Sequence, residues 1–132
     1  MNGIKYLLDT NIIIGLYNHN PTLLVLLQAK SIRINQCAYS SITRIELLSY
    51  PDLTVPDKQA IESLLKCMTY LGISPEVEDE TIKFRRAQQT KLPDSIIAAT
   101  AKYYQLELLT LDKKLASKLD EAANAEKSPT TD

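Results

Sequence analysis

Histidine and glycine are scarce in this 132-residue chain, and their scarcity excludes several kinds of catalytic site. The single histidine, His19, lies in an asparagine- and proline-containing turn, so a histidine-rich metal site cannot form. A histidine-based serine or cysteine triad would also have to use this one residue. The 3 glycines are isolated from one another, which excludes a glycine-rich phosphate loop. The chemistry of the chain must therefore depend on other side chains.

Cysteine is also rare, and long apolar runs are missing. Cys37 and Cys67 lie far apart and form no Cys-x-x-Cys pair, which predicts reduced thiols. Asp9 interrupts the first apolar stretch early, and no apolar run approaches the ~18 residues of a membrane span. We therefore expect a cytoplasmic protein with no membrane partner.

The chain has no excess of basic residues, because 15 Lys and Arg stand against 16 Asp and Glu, giving a net charge of −1. Bulk attraction to nucleic acid is therefore not expected, and an RNA partner would need local basic patches and bound metal. Arg85 and Lys91, which precede Asp94, are candidates for an RNA-binding rim. The same cluster is also typical of a solvated helix face.

The length and the apolar content of 45% are those of one globular domain, which we place at residues 1–120, followed by a polar, frayed tail at 121–132. Short apolar runs predict strands, and they alternate with segments that carry helix-capping and helix-forming patterns. The predicted strands are residues 4–8, 32–34, 71–73 and 106–111. This alternation predicts an α/β fold with a parallel sheet covered by helices.

Four acidic residues far apart in the chain are predicted to converge. Asp9 and Asp112 each end an apolar run typical of a buried strand, Asp94 opens an alanine-rich helix, and Glu46 lies in a helical segment. Open α/β sheets bind their ligands beyond the carboxyl ends of the strands. The sequence therefore predicts an oxygen-lined site at that edge.

Each of these acids also has a simpler explanation. Asp9, Asp94 and Asp112 stand where an aspartate commonly caps a helix. Asp94, however, shares a helix face with Ile97, so its carboxylate is expected at the edge of the core. Glu46 belongs to a capping box if its helix begins at Thr43, but lies a turn inside a helix that begins at Ser40 or Ser41. The apolar stripe of Ile42, Ile45 and Leu48 favours the second start.

Grouping four carboxylates has an electrostatic cost. Two unit charges ~5 Å apart repel by about 3 kcal/mol at an effective dielectric near 20, so the group needs a cation or bound protons. Oxygen-only ligands favour Mg²⁺ or Mn²⁺ over Zn²⁺. Such an ion orients a phosphate, stabilises its developing charge and activates a water. The site therefore predicts metal-dependent chemistry on phosphates.

The order of four segments resembles that of PIN-domain ribonucleases. The segments are residues 8–11 (LDTN), 41–47 (SITRIEL), 92–101 (LPDSIIAATA) and 109–112 (LTLD). The resemblance spans roughly residues 4–115. Length and segment order are most similar to the toxins of bacterial VapBC-type toxin–antitoxin pairs.

This resemblance implies a three-layer sandwich with a mostly parallel sheet of four or five strands. It implies Mg²⁺- or Mn²⁺-dependent endonucleolytic cleavage of RNA, homodimers, and a cognate antitoxin that places a basic residue in the acidic pocket. The residues it assigns to the metal site are Asp9, Glu46, Asp94 and Asp112, with Asn11 and Thr110 as polar supports. Residues 113–132 depart from the family pattern, because they show only a helix and a polar tail where a last strand often follows.

Three functions remain open from the sequence. The first is an endoribonuclease that cleaves single-stranded RNA with a metal-activated water. The second is a phosphohydrolase with Asp9 as nucleophile, although Asn11 stands where an Asp-x-Asp motif has its second carboxylate. The third is a non-catalytic module whose acidic pocket docks a basic segment of a partner.

Overall fold

The computed structural model describes residues 3–127, in which four strands alternate with seven helices and one 3-10 turn. The strands are β1 (Tyr6–Leu8), β2 (Cys37–Ser40), β3 (Thr69–Leu71) and β4 (Glu107–Leu109). The helices are α1 (Thr10–Tyr17), α2 (Pro21–Ala29), α3 (Ser41–Leu48), α4 (Val55–Lys66), α5 (Pro75–Gln88), α6 (Leu92–Tyr103) and α7 (Lys113–Lys127). None of these helices is long and apolar enough to cross a bilayer.

The four strands form one parallel sheet in the order β3-β2-β1-β4. Successive side chains of a strand point to opposite faces of a sheet. Accordingly, Leu8 of β1 belongs to a buried cluster with Ile12 of α1, whereas Leu7 belongs to another with Ile97 of α6. The sheet therefore lies between two helical layers, which confirms the predicted three-layer α/β sandwich.

Two strands lie at other positions than the sequence pattern predicts. The strand prediction for residues 32–34 is wrong, because Ile34–Gln36 forms the 3-10 turn and the strand is Cys37–Ser40. All of β2 is buried, so it lacks the polar–apolar alternation that marks a half-exposed strand. The third strand is Thr69–Leu71 rather than 71–73.

The final helix is longer than predicted. It begins at Lys113, as expected, and continues to Lys127, so residues 121–127 are helical rather than part of a frayed tail. Alanine and glutamate dominate this stretch, and both are strong helix formers. The remaining predicted tail, 128–132, lies outside the described residues, and the domain boundary at residue 120 stays a prediction. Within residues 3–127, no strand follows β4.

Both cysteines are free thiols, as predicted. Cys37 is buried in β2, and burial raises the pKa of its thiol to about 11. A thiol with such a pKa stays protonated and unreactive near neutral pH. Cys67 is exposed at the end of α4. Neither thiol takes part in the candidate site.

Candidate active site

Polar residues replace apolar ones where β1 and β4 end. Asp9 follows β1 directly, and its backbone N–H still donates to the carbonyl oxygen of Leu109 in β4 at 2.9 Å. This last bond between the two strands brings Asp9 beside Thr110, which follows β4. The first two polar residues beyond neighbouring strands thus lie together at the edge where parallel sheets bind ligands.

Asp9 is 6% exposed, and its carboxylate accepts hydrogen bonds from both strand ends. Its Oδ1 accepts from the backbone N–H of Thr10 at 2.7 Å as Asp9 caps α1. Its Oδ2 accepts from the Thr110 hydroxyl at 2.7 Å and lies 3.4 Å from the amide nitrogen of Asn11. The capping role and a place in the acidic site are therefore compatible in this residue.

Asn11 and Thr110, the predicted polar supports, join α1 to the loop after β4. The Asn11 side-chain oxygen accepts from the backbone N–H of Leu111 at 3.1 Å. The Thr110 hydroxyl oxygen accepts from the backbone N–H of Asp112 at 2.9 Å. These two bonds fix the backbone of the loop that carries Asp112.

Asp112 is half-buried and caps the last helix. Its Oδ1 accepts from the backbone N–H groups of Lys114 and Leu115 at 3.0 and 3.1 Å. A carboxylate is favoured there because the helix start presents unpaired N–H groups. As with Asp9, a helix cap sits at the edge of the sheet beside the other acids.

Glu46 lies one turn inside α3, because the helix begins at Ser41 and Ser40 caps it. The capping box at Thr43 does not form, which confirms the helix start favoured from the sequence. The predicted apolar stripe is partly wrong, since Ile45 is 55% exposed. The buried positions are Thr43 and Leu47, four residues apart on one helix face. The side chain of Glu46 accepts a hydrogen bond from the Thr10 hydroxyl at 2.7 Å.

Asp94 is the third residue of α6 and does not cap it, because the N-cap position is Lys91. Ile97 and Ala98 on the same helix face are 1% and 0% exposed. The spacing argument from the sequence is confirmed, since the carboxylate sits half-buried at the edge of the core. Within residues 3–127, no donor makes a hydrogen bond to it.

The other three acids lie near enough to Asp94 to influence its pKa. Burial is the largest cause that raises this pKa, and the negative charges of Asp9, Asp112 and Glu46 raise it further. The positive charge of Lys91 acts in the opposite direction. Asp94 thus differs from the other three acids in geometry as well, because each of them accepts a hydrogen bond and Asp94 accepts none within residues 3–127.

All four acids line one open cavity of about 510 Å³. The lining residues are Asp9, Thr10, Asn11, Ile14, Glu46, Ser49, Tyr50, Asp94 and Asp112. No lysine, arginine or histidine of the described chain is among them. The convergence predicted from the sequence is therefore present, and the cavity carries a concentrated negative charge.

The cavity offers the type of ligand that a hard metal ion prefers, but its side chains are not yet close enough together to coordinate one. Carboxylate oxygens suit Mg²⁺ or Mn²⁺, and their mutual repulsion favours a cation. Yet nowhere in residues 3–127 are three Asp, Glu, His or Cys side chains gathered closely enough to hold one ion. Thr10, Thr110 and the start of α7 donate hydrogen bonds to Glu46, Asp9 and Asp112, respectively, whereas Asp94 accepts none within residues 3–127. Closing the site around an ion therefore requires rotation of the Asp94 side chain above all, whereas the backbone already brings the four acids to one cavity.

The two basic residues predicted for an RNA rim have different surroundings. Lys91 is exposed and lies near enough to lower the pKa of Asp94. Arg85 donates from Nε to the carbonyl oxygen of Thr90 at 3.1 Å, which ties α5 to the turn before α6. Lys91 therefore lies beside the acidic cavity, whereas Arg85 stabilises a turn.

A second, mostly apolar cavity of about 330 Å³ adjoins the first and shares Ile14 and Tyr50 with it. Its lining residues are Ile13, Ile14, Tyr17, Asn18, Leu47, Tyr50, Pro51, Asp52, Leu53, Asp57 and Ile61. The Tyr17 hydroxyl donates to Asp57 at 2.5 Å and lowers the pKa of that carboxyl. This cavity could not be predicted from the sequence, because its residues belong to ordinary helix patterns and to the turn between α3 and α4.

Thr10 is the residue of the acidic cavity whose contacts the sequence did not predict. The pattern around it indicates only a helix start, yet its hydroxyl contacts Glu46 and Thr43. The one available signal is its position next to Asp9. Tyr50, which lines both cavities, lies outside the helices and carries no sequence signal of this role.

Comparison with known proteins identifies similar domains. A family model described as PIN domain matches residues 6–121. A chain in a toxin–antitoxin complex from Klebsiella pneumoniae is 31% identical, with a TM-score of 0.72, over 85% of this chain and 91% of that chain. No curated protein matches.

Two further solved structures share the fold at lower identity. One is VapBC2 from Rickettsia felis, in a structure that also contains a promoter DNA fragment. The matching chain is 18% identical, with a TM-score of 0.71, over 86% of this chain and 92% of that chain. FitAcB from Neisseria gonorrhoeae is 23% identical, with a TM-score of 0.70, over 87% and 93%. At these identities the likeness concerns the fold alone.

Proposed function

This chain belongs to the PIN domain family, and from that premise we propose that it is a divalent-metal-dependent endoribonuclease, the toxin of a toxin–antitoxin pair. PIN domains are generally nucleases. The observation that carries the proposal is the cavity shared by four carboxylates, three of which raise the pKa of the fourth. We also propose a cytoplasmic location, which suits the two free thiols.

In this proposal Asp9, Glu46, Asp94 and Asp112 hold Mg²⁺ or Mn²⁺. When bound, the ion supplies charge stabilisation for the phosphate and a lowered pKa for water. Asp94 is the acid most ready to turn towards a cation, because no donor of residues 3–127 holds its carboxylate. Asn11 and Thr110 keep the remaining acids in place through the bonds described above.

The substrate we propose is single-stranded RNA. Asp9 is 6% exposed, so a phosphodiester must enter the cavity to reach the acids. A flexible single strand can bend into such a cavity more readily than a base-paired helix, whose backbone is held at a fixed distance from the axis. Lys91 beside Asp94, with a weaker contribution from Arg85, would attract the RNA backbone to the rim.

The geometry of Asp9 argues against the phosphohydrolase alternative. Its two carboxylate oxygens already accept hydrogen bonds from Thr10 and Thr110. Asp9 is also almost fully buried, and Asn11 supplies no second carboxylate to act as the acid and base of that mechanism. The non-catalytic module, in contrast, differs from the nuclease only in the absence of cleavage and of cation binding.

The experiment that tests the nuclease is incubation of purified protein with fragments of tRNA, rRNA and mRNA, with Mn²⁺ or with excess chelator. We expect cuts at defined positions in unpaired segments, and none with chelator. Calorimetric titration with Mn²⁺ in the absence of RNA is the second measurement. A protein that neither cuts RNA nor binds Mn²⁺ would be the docking module instead.

We propose that the antitoxin covers both cavities at once. The acidic cavity suits a basic side chain, and the adjoining apolar cavity suits the apolar residues of the same segment, since the two share Ile14 and Tyr50. A basic side chain placed among the four carboxylates would compete directly with the catalytic cation. Inhibition and docking would then result from one binding event.

Substitution of Leu53 by arginine is expected to prevent co-purification with the cognate antitoxin and to leave RNA cleavage unchanged. Leu53 is half-buried, lines the apolar cavity and lies outside the acidic one. The aliphatic stem of an arginine there would occupy the cavity while its charged head stays in water at the cavity mouth. Ile82→Arg on α5, at a position 57% exposed, is the matched control. Normal antitoxin binding by Leu53→Arg would place the docking surface elsewhere.

Helix α2 is a candidate surface for the homodimer that the family resemblance implies. Leu24, Val25 and Leu26 are 42%, 65% and 43% exposed, and adjacent exposed apolar residues often mark a protein contact. Light scattering is expected to give twice the mass of 14.8 kDa for the free chain. Val25→Glu is expected to return it to a single copy. A single-copy mass for the unsubstituted protein would reject the dimer.

A further inference from the structure

We propose that Thr10 is a positioning residue for Glu46, and that Thr43 completes a directed chain of hydroxyl hydrogen bonds that holds Glu46 at the cavity. This inference rests on the proposed metal-dependent function. Two uncharged residues, Thr10 and the fully buried Thr43, would then be needed for metal binding in addition to the four acids.

The direction of the chain follows from the number of protons available. The Thr10 hydroxyl oxygen lies 2.7 Å from Glu46 Oε1 and 3.0 Å from the Thr43 hydroxyl oxygen. An ionised carboxylate can only accept, and a hydroxyl has one proton to donate. Thr10 therefore donates to Glu46, and Thr43 must donate to Thr10. Each hydroxyl in the series strengthens the donor that follows it.

Burial protects this chain from competition by water. Thr43 is 0% exposed and Thr10 is 9% exposed. A free glutamate side chain samples several staggered rotamers, and a shielded bond to one oxygen selects among them. The bond occupies Oε1 and leaves Oε2 available to a cation. Thr10 thus fixes the position of the Glu46 carboxylate relative to the end of β1.

Thr10 also contacts the acid that precedes it. Its backbone N–H donates to Asp9 Oδ1 at 2.7 Å, while its side chain holds Glu46, which lies 36 positions further along the chain. One residue therefore fixes the relation between two of the four carboxylates. Loss of a group that orients a metal-ligating side chain typically reduces metal affinity or activity by about 10–100-fold.

The test compares Thr10→Val, which keeps the branched shape without the hydroxyl, with Thr10→Ser, which keeps the hydroxyl. Mn²⁺ affinity is measured by calorimetry in the absence of RNA, and kcat and KM for RNA are measured separately. We expect Thr10→Val to bind Mn²⁺ about 10-fold more weakly, with kcat reduced more than KM is raised. Thr10→Ser should restore both quantities to near the values of the unsubstituted protein.

A paired substitution separates positioning from stability. Thr10→Val alone leaves the buried Thr43 hydroxyl without its acceptor, which should lower the melting temperature. In Thr10→Val/Thr43→Val both partners are apolar, so the melting temperature should recover, while the Mn²⁺ defect should remain. Thr43→Val alone keeps the bond from Thr10 to Glu46, and we expect a smaller loss of affinity.

Three outcomes would overturn the inference. The first is a folded Thr10→Val protein with unchanged Mn²⁺ affinity. The second is a Thr10→Ser protein as defective as Thr10→Val, and the third is recovery of Mn²⁺ affinity in the double variant. Each leaves the nuclease proposal intact. If the unsubstituted protein binds no Mn²⁺, the proposed function itself fails and the positioning role fails with it.

Discussion

Replacement of Asp94 by asparagine is expected to reduce metal-dependent RNA cleavage by about 10²–10³-fold, the range found when one electrostatic group of an active site is lost. The substitution keeps the shape of the side chain and removes its charge. Asp94 is the carboxylate that no donor of residues 3–127 engages, so no hydrogen-bond network depends on it. We therefore expect the circular dichroism spectrum to be unchanged while cleavage is lost.

Asp120→Asn on α7 is the matched control, because this residue is exposed and does not line the cavity. It removes the same charge from the chain and should cleave RNA at the normal rate. Cleavage at the normal rate by both Asp94→Asn and Asp120→Asn would show that the charge of Asp94 does not contribute to the reaction. A comparable loss in both would indicate a general effect of net charge on RNA binding.

The strand-end acids could be predicted because two independent signals agree at each of them. An apolar run that stops at an aspartate marks the end of a buried strand, and the same aspartate begins a helix. Asp9 does both in the structure, whereas Asp112 begins a helix but lies three residues beyond the last residue of β4, Leu109. The capping explanation and the acidic-site explanation were therefore never alternatives at these positions, because helix starts and strand ends meet at one edge of the sheet.

Glu46 required a choice between two helix starts, and local sequence alone could not decide it firmly. Ser40 caps the helix, and Thr43, whose side chain would have capped the alternative start, is turned into the core instead. Its hydroxyl is satisfied there by Thr10, 33 positions earlier in the chain. Such a pair has no signature in sequence spacing, since it depends on how α1 packs against α3.

The second strand was mispredicted for a related reason. Residues 32–34 alternate as an exposed strand would, whereas Cys37–Ser40 is buried on both faces and carries a serine and a cysteine rather than large aliphatic residues. Only the pairing of β2 between β1 and β3 identifies it as a strand. Local pattern therefore located the end of β1 correctly, whereas it placed the end of β4 at residue 111, two residues beyond its last residue, Leu109.

Addition of a cation is expected to reverse the order of the melting temperatures of Asp94→Asn and the unsubstituted protein. In chelator near neutral pH, we expect the asparagine variant to melt at the higher temperature. The pKa of Asp94 is raised in the folded protein, so folding favours its protonated form. The resulting stability is fully present below the unfolded pKa of about 3.9 and is lost as pH rises through the folded value. The two proteins should therefore differ little at low pH and increasingly as pH rises.

With Mn²⁺ at about 100 times its dissociation constant, the unsubstituted protein should gain about 2.7 kcal/mol, or about 10 °C in melting temperature. The asparagine variant should gain much less, because it lacks the charge that attracts the ion. The order of the two melting curves then reverses between chelator and Mn²⁺. A carboxylate that destabilises the free protein and stabilises the loaded one is the expected property of a cation site. If Mn²⁺ shifts the melting temperatures of the two proteins equally or not at all, the carboxylates are solvated independently and hold no ion.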